Sequence, residues 1–366
     1  MEGQGGDRLV KTSTSVVIES PGVLSIREFP VPEIGPEDLL LKVEMVSVCG
    51  TDPALYSGKI PTTPYPIMPG HEVVGYVEDL GKQAAAAYGI EKGDRVTVEP
   101  YILCRRCRYC LTGSYQLCVH KDCYGFTISS ARPPHLWGAY GDYLYVAPGS
   151  KLHKVHPGVP AEAACLSSVV GNGIRWVRTR GGLRLGEDVV VIGPGAQGLC
   201  AVAAASQAGA NHIIVLGMNR DLKRLALARE FGATHTISVE EEDPLEAVTR
   251  ITGGTMVDLA IECTGSAAAI QTGFKLVKPL GRFVLVGLAG GKEIGIVTDR
   301  LVMNEITVLG GLGQSWDVED AMKLINTGKI PFHKMITHVF PVREAEVALK
   351  TGLGPPDDMI KMALRP

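Results

Sequence analysis

Between about residues 168 and 310, short apolar runs alternate with stretches whose apolar residues recur every three or four positions. The runs cover 188–192, 212–216, 234–237, 257–262, 282–287 and 306–309, each of strand length and rich in Val, Ile and Leu. The intervening stretches predict helices beginning near Ala196, Asp221, Pro244 and Ala267. Strands alternating with amphipathic helices predict a parallel α/β sheet, and six strands make a complete doubly wound one. The chain before about residue 165 has another character. Gly and Pro break it into short runs at 39–48, 73–77, 95–98 and 143–146, which predict an irregular β-rich domain with few helices. Beyond Gly311, an amphipathic helix over 318–326 and a short strand near 337–340 read as a cap on the second domain.

At 366 residues the chain is too long for one ordinary core and suits two domains. Hydrophobic residues at 45% and charged residues at 20% exclude a disordered chain. The formal net charge is −3, and no long run of Lys or Arg appears, so neither a nucleic acid nor a membrane surface is an expected partner. The stretch 1–11 is Gly-rich and polar, which predicts a frayed tail rather than a secretory signal. A cytoplasmic protein follows. Four of its nine cysteines fall in one short loop, which favours metal ligation in a reducing compartment over disulfides.

Three groups of residues carry chemistry. The first is Gly193-Pro194-Gly195-Ala196-Gln197-Gly198, which follows a predicted strand and opens an Ala-rich helix. In a G-x-G-x-x-G of this placement the first Gly permits the tight turn and the second admits a pyrophosphate to the backbone. The third lets helix and strand pack closely. A dinucleotide cofactor is expected there, its phosphates on the positive helix end. The next strand should close on an acid for the ribose of NAD. Gly217 stands in that place, Arg220 could approach a 2′-phosphate, and Asp221 could serve either the ribose or the cap of the following helix. NAD and NADP both remain open.

The second group is Cys104, Cys107, Cys110 and Cys118, spaced C-x2-C-x2-C-x7-C. Four thiolates close a tetrahedron around one Zn²⁺ and leave no open position, the mark of a structural site. An iron–sulfur cluster also uses four cysteines, but its familiar run has a shorter last gap followed by Pro, where this chain has Val119. The third group is Cys49-Gly50-Thr51-Asp52 after one strand and Gly70-His71-Glu72 before another. A thiolate, an imidazole and a carboxylate at neighbouring strand ends can form an open, catalytic zinc site.

In this order Cys49-Gly-Thr-Asp, Gly70-His-Glu-x-x-Gly, Gly93-Asp-Arg-Val, the four-cysteine loop and Gly193-x-Gly-x-x-Gly resemble the zinc-containing medium-chain dehydrogenase/reductase superfamily from about residue 15 onward. Gly93-Asp-Arg-Val-Thr-Val-Glu-Pro is similar to the equivalent stretch of sorbitol dehydrogenases, within the polyol and threonine dehydrogenase branch. The resemblance implies a GroES-like catalytic domain, 1–168 with 311–366, and an inserted Rossmann domain, 169–310. It implies hydride transfer between a secondary alcohol or polyol (or the ketone) and NAD or NADP, in a homodimer or homotetramer. Cys49, His71 and Glu72 would hold the catalytic zinc, Thr51 would pass the alcohol proton toward the nicotinamide ribose, and Asp52 would orient His71. Two positions depart from the pattern. Ser168 stands where a Cys or Glu supplies the third ligand, with Cys165 and Glu162 nearby, and Ala54 replaces a relay His. The Ser168 departure keeps a second reading open, a zinc-free NAD(P)H-dependent reductase in which Glu72, Tyr56 or a water handles the proton. Tyr56, Phe126 and Trp137 are candidates for an apolar substrate pocket.

Overall fold

The computed structural model describes residues 11–366, so the tail expected over 1–11 lies outside it except for Lys11. All six predicted strands of the second half form one parallel sheet. Its order is His235–Ser238, Ile213–Gly217, Val189–Ile192, Val257–Glu262, Val277–Leu285, Thr307–Gly310. Chain order reverses beside Val189–Ile192, which is the first strand and sits centrally, paired with Ile213–Gly217 on one side and Val257–Glu262 on the other. Helices Ala196–Gln207, Leu222–Glu230, Pro244–Ile251 and Ala267–Leu276 start within a residue of the expected positions. Strand Val189–Ile192 is buried throughout, as a parallel strand covered on both faces must be. Val277–Leu285 begins earlier than the apolar run suggests, because a register shift lets Val277 pair with Val257 ahead of the regular ladder.

The other sheet draws on both ends of the chain. Leu39–Ser47, Glu72–Leu80, Arg95–Val98, Leu152–Lys154 and Tyr143–Val146 come from the first half, and Ile336–Pro341 and Lys361–Arg365 from the last part. Lys361–Arg365 pairs antiparallel with Leu39–Ser47 through Ala363 and Leu364. The C-terminal segment is therefore part of the first domain's sheet rather than a cap on the second. Periodicity missed this strand, since five residues bear little alternation. A hairpin, Thr12–Ser20 with Val23–Pro30, was also not legible in the apolar pattern.

Helix Ser167–Ile174, almost wholly buried, continues as a π-helical turn, Arg175–Arg180. It packs against the cofactor-motif helix Ala196–Gln207 and against helix Asp317–Asn326, and so ties the two sheets together. No helix among the described residues is long and apolar enough to cross a membrane.

Candidate active site

The glycine motif folds as its residues require. Gly193 ends its strand at φ +96°, a conformation side chains rarely adopt, and the Cβ that Gly198 lacks would lie 2.0 Å from the Gly193 carbonyl oxygen. Gly195, by contrast, faces open space, with nothing within 4 Å of a built Cβ. That gap sits at the N-terminus of helix Ala196–Gln207, where free N–H groups attract phosphate. Glu262, fully buried at the end of its strand, accepts from the backbone N–H groups of Thr264 and Gly265 and holds that turn against Gly193. At the next strand end, Asp221 accepts from the Met218 N–H at 3.1 Å and pairs with Arg224 at 2.5 Å. Each of its oxygens is thus engaged by a neighbour, as in a helix cap. Gly217 offers no side chain, and Arg220 is exposed beside it.

In the four-cysteine loop, Cys104, Cys107, Cys110 and Cys118 bring their sulfurs within 4.8 Å of one another. The Cys104–Cys110 and Cys107–Cys118 pairs stand at 3.8 and 3.9 Å. Zn–S bonds of about 2.3 Å in a tetrahedron demand edges of about 3.8 Å, so the donor set fits zinc. The N–H groups of Cys107 and Cys110 point at the sulfurs of Cys104 and Cys107, at 3.3 and 3.4 Å. Backbone N–H groups of Cys110 and Val119 pull the Cys107 thiol down to about 6, which prepares a thiolate.

Cys49, His71 and Glu72 also converge, one ligand atom from each lying within 4.8 Å of the others. Cys49 follows strand Leu39–Ser47, and His71 immediately precedes its antiparallel partner Glu72–Leu80, so the ladder itself brings them together. Burial opposes a charged imidazole at His71, but Cys49, Asp52 and Glu72 overcome it and raise its pKa to about 9. Acidic side chains gathered around one point form a hole shaped for a cation. Three buried atoms beside it have no partner: Thr51 Oγ1, Asp52 Oδ1 and His71 Nδ1. A divalent metal fits this donor set.

The sequence reading placed Asp52 on His71. In the structure Asp52 Oδ1 lies 3.9 Å from His71 Nδ1, beyond hydrogen-bond length. Its other oxygen accepts from the Cys49 N–H at 2.9 Å and the Tyr140 hydroxyl at 3.0 Å, so its main hold is on the Cys49 backbone. Ser168 is buried and accepts from the Gln314 amide at 3.0 Å. Neither neighbour replaces it as a ligand: Cys165 is turned to the Glu162 carbonyl, and Glu162 pairs with Arg365 at 2.6 Å. Tyr56 is a packing residue whose hydroxyl bonds Glu346 at 2.8 Å, and Trp137 is in the core with its indole N–H on the Arg132 carbonyl. Phe126 packs partly buried against the same core.

Three residues of this site escaped the sequence reading. Lys361, on the C-terminal strand, buries its ammonium 2.7 Å from Glu72 Oε2 and 2.9 Å from the Val48 carbonyl oxygen. Ser47 donates to the same Glu72 oxygen. Burial works against ionising both groups, yet Lys361 and His71 hold the Glu72 carboxyl below its ordinary range while Glu72 and Cys49 raise Lys361. Tyr101 is the third. Burial, together with Cys123 and Cys49 nearby, raises its phenol pKa, and its hydroxyl abuts Gly313. No local motif marks any of the three.

Comparison with known proteins agrees with this geometry. Residues 35–157 match the alcohol dehydrogenase GroES-like domain and residues 196–327 the zinc-binding dehydrogenase domain. A protein of Mycobacterium tuberculosis named "Probable alcohol dehydrogenase adh" is 38% identical over 94% of this chain and 95% of its own length. The chain belongs to the zinc-containing medium-chain dehydrogenase/reductase family. It is thus an oxidoreductase of the zinc- and NAD(P)-linked alcohol dehydrogenase type. Erythritol/L-threitol dehydrogenase of Mycolicibacterium smegmatis is 32% identical, with 92% of each chain covered. A zinc-binding dehydrogenase of Sinorhizobium meliloti, solved bound to NADP, superposes with a TM-score of 0.86 at 29% identity, covering 97% of this chain and 100% of that one.

Proposed function

We propose that the chain oxidises a small secondary alcohol or polyol, or reduces the matching ketone, at a zinc held by Cys49, His71 and Glu72. The observation that carries this reading is the convergence of those three ligand atoms within 4.8 Å, with the unpartnered Thr51 hydroxyl beside them. When bound, zinc supplies Lewis acidity that eases loss of the alcohol proton, and NAD(P) accepts the hydride. The chain's own residues do the rest. Lys361 and Ser47 fix one oxygen of Glu72, which leaves the other for the ligand role that Ser168 cannot fill. Asp52 holds the Cys49 backbone. Thr51 Oγ1, which has no partner of its own, would accept the alcohol proton while handing its own hydroxyl proton on to the ribose or to water, since Ala54 offers no imidazole. The zinc-free reading loses one of its proton handlers, since the Tyr56 hydroxyl is bonded to Glu346.

We assign the catalytic role to residues 1–168 with 311–366 and coenzyme binding to 169–310, in a cytoplasmic enzyme. A homo-oligomer is part of the proposal. Among the described residues strand Thr307–Gly310 is paired on one side only, and Val297, Val302 and Met303 beside it are 75, 78 and 82% exposed. A second copy of this chain, meeting the first edge to edge, would cover both.

Zinc per chain by plasma mass spectrometry, combined with a screen of secondary alcohols, tetritols and hexitols against NAD and NADP, tests the proposal. Two zincs and turnover that Cys49→Ala abolishes are expected. One zinc with undiminished turnover would replace the zinc site by the reductase reading. Light scattering on the eluted protein reads the copy number.

A further inference from the structure

The four-cysteine loop reaches the cleft between the two sheets through Tyr115 and Gly113. Tyr115 lies between Cys110 and Cys118 and is buried. Its hydroxyl donates to Glu99 Oε2 at 2.5 Å and accepts from the backbone N–H of Trp316 at 2.7 Å, so both its roles are used. Glu99, itself buried, bonds His153 Nε2 at 2.7 Å through its other oxygen. Ser315 donates to the Gly113 carbonyl of the same loop, and the Trp316 ring meets Tyr115 edge-on, centroids 6.0 Å apart. Lys151 Nζ stands 3.3 Å above the Trp316 ring. These contacts hold Trp316 at φ +61°, a region costly for a residue with a side chain.

The same short segment is fastened on its other side to the active site. Gln314, buried, donates to Ser168 Oγ at 3.0 Å, and Gly313 packs against the Tyr101 hydroxyl. Asp317 accepts from the Ser315 N–H at 2.9 Å and from Thr179, on the turn that continues the Ser168 helix. The segment leaves directly from the carboxyl end of strand Thr307–Gly310, the end of a doubly wound sheet at which ligands bind.

We propose that Tyr115 is a positioning residue: through Trp316 and Gln314 it sets the cleft wall over residues 311–316 and the Ser168 side of the active site. The four-cysteine loop then does more than stiffen its own lobe, because its order is read at the coenzyme. This inference rests on the dehydrogenase reading, which supplies the ligand of the cleft.

Tyr115→Phe removes only the phenol oxygen and keeps the ring against Trp316. The full chain is titrated with NADPH and with NADH by fluorescence, zinc per chain is measured on the same sample, and Gln314→Leu and the double variant are treated alike. Unchanged zinc content is expected, with coenzyme bound about tenfold more weakly. That is about 1.4 kcal/mol, within the range of one ordinary intramolecular hydrogen bond. The double variant should bind within about twofold of the weaker single one, because both cut the same connection. Coenzyme affinity within twofold of wild type in Tyr115→Phe overturns the proposal, as do additive losses in the double variant. Should Tyr115→Phe not fold, Ser315→Ala severs the same segment from Gly113 and must weaken coenzyme binding in the same sense. A wild-type protein that binds neither coenzyme refutes the dehydrogenase reading itself, an outcome distinct from the others.

Discussion

Replacing Lys361 by Met takes away the ammonium beside the buried Glu72 carboxylate and leaves His71 as its cationic neighbour. The side chains of Lys361 and Glu72 are 7 and 4% exposed and 2.7 Å apart, so water cannot stand in for the ammonium. Breaking a buried pair from one side costs about 3–5 kcal/mol, because the remaining charge is uncompensated. Ser47 still donates to Glu72, which places the expected loss near the lower figure, about 3 kcal/mol. For a chain of 366 residues, unfolding entropy of about 2.1 cal/mol/K per residue converts that to a fall in Tm of about 4 °C. The loss should shrink when excess zinc is added, since a divalent ion at Cys49, His71 and Glu72 supplies the missing positive charge. Thermal unfolding at fixed pH and scan rate, with chelator and then with zinc, gives the comparison. Lys361→Arg, which keeps the charge, should recover part of the loss. A Met variant melting within 1 °C of wild type in chelator would show that Glu72 does not depend on Lys361, and the account of how that carboxylate is held would fall.

Three further outcomes follow from the geometry. Gly195→Ala and Gly198→Ala should separate, because a Cβ at 195 meets open space while one at 198 meets the Gly193 carbonyl. The first is expected to keep its melting temperature and bind coenzyme at least tenfold more weakly, and the second to lose stability as well; equal melting temperatures would refute the packing role given to Gly198. Cys107→Ser should cost one zinc per chain by mass spectrometry and expose its loop to protease, and retention of full zinc content would remove Cys107 from the tetrahedron. Thr51→Val, nearly isosteric, should lower kcat about a hundredfold or more with little change in coenzyme affinity, and unchanged kcat would mean that the proton leaves by another group.

Local motifs were enough for much of this protein. Strand–Gly193-x-Gly-x-x-Gly–helix and the four closely spaced cysteines work through backbone turns a few residues long, so their chemistry is legible in the sequence itself. The six apolar runs likewise placed the parallel sheet, because strands buried on both faces tolerate little else. Cys49 and His71 were legible as candidates, and the ladder between strands Leu39–Ser47 and Glu72–Leu80 then brought them together. Lys361 could not be found that way. It bonds the carbonyl of Val48, 313 residues distant in the chain, and only the pairing of the last strand with Leu39–Ser47 puts it there. Likewise Tyr56 and Trp137 look like pocket residues in a list of aromatics, yet the fold spends their polar atoms on Glu346 and Arg132. Sequence determines which residues can do chemistry, since that is a property of each side chain and its near neighbours. Which of them meet, and which are left with an unpartnered atom facing a shared space, depends on contacts between distant strands, and that only the tertiary structure decided.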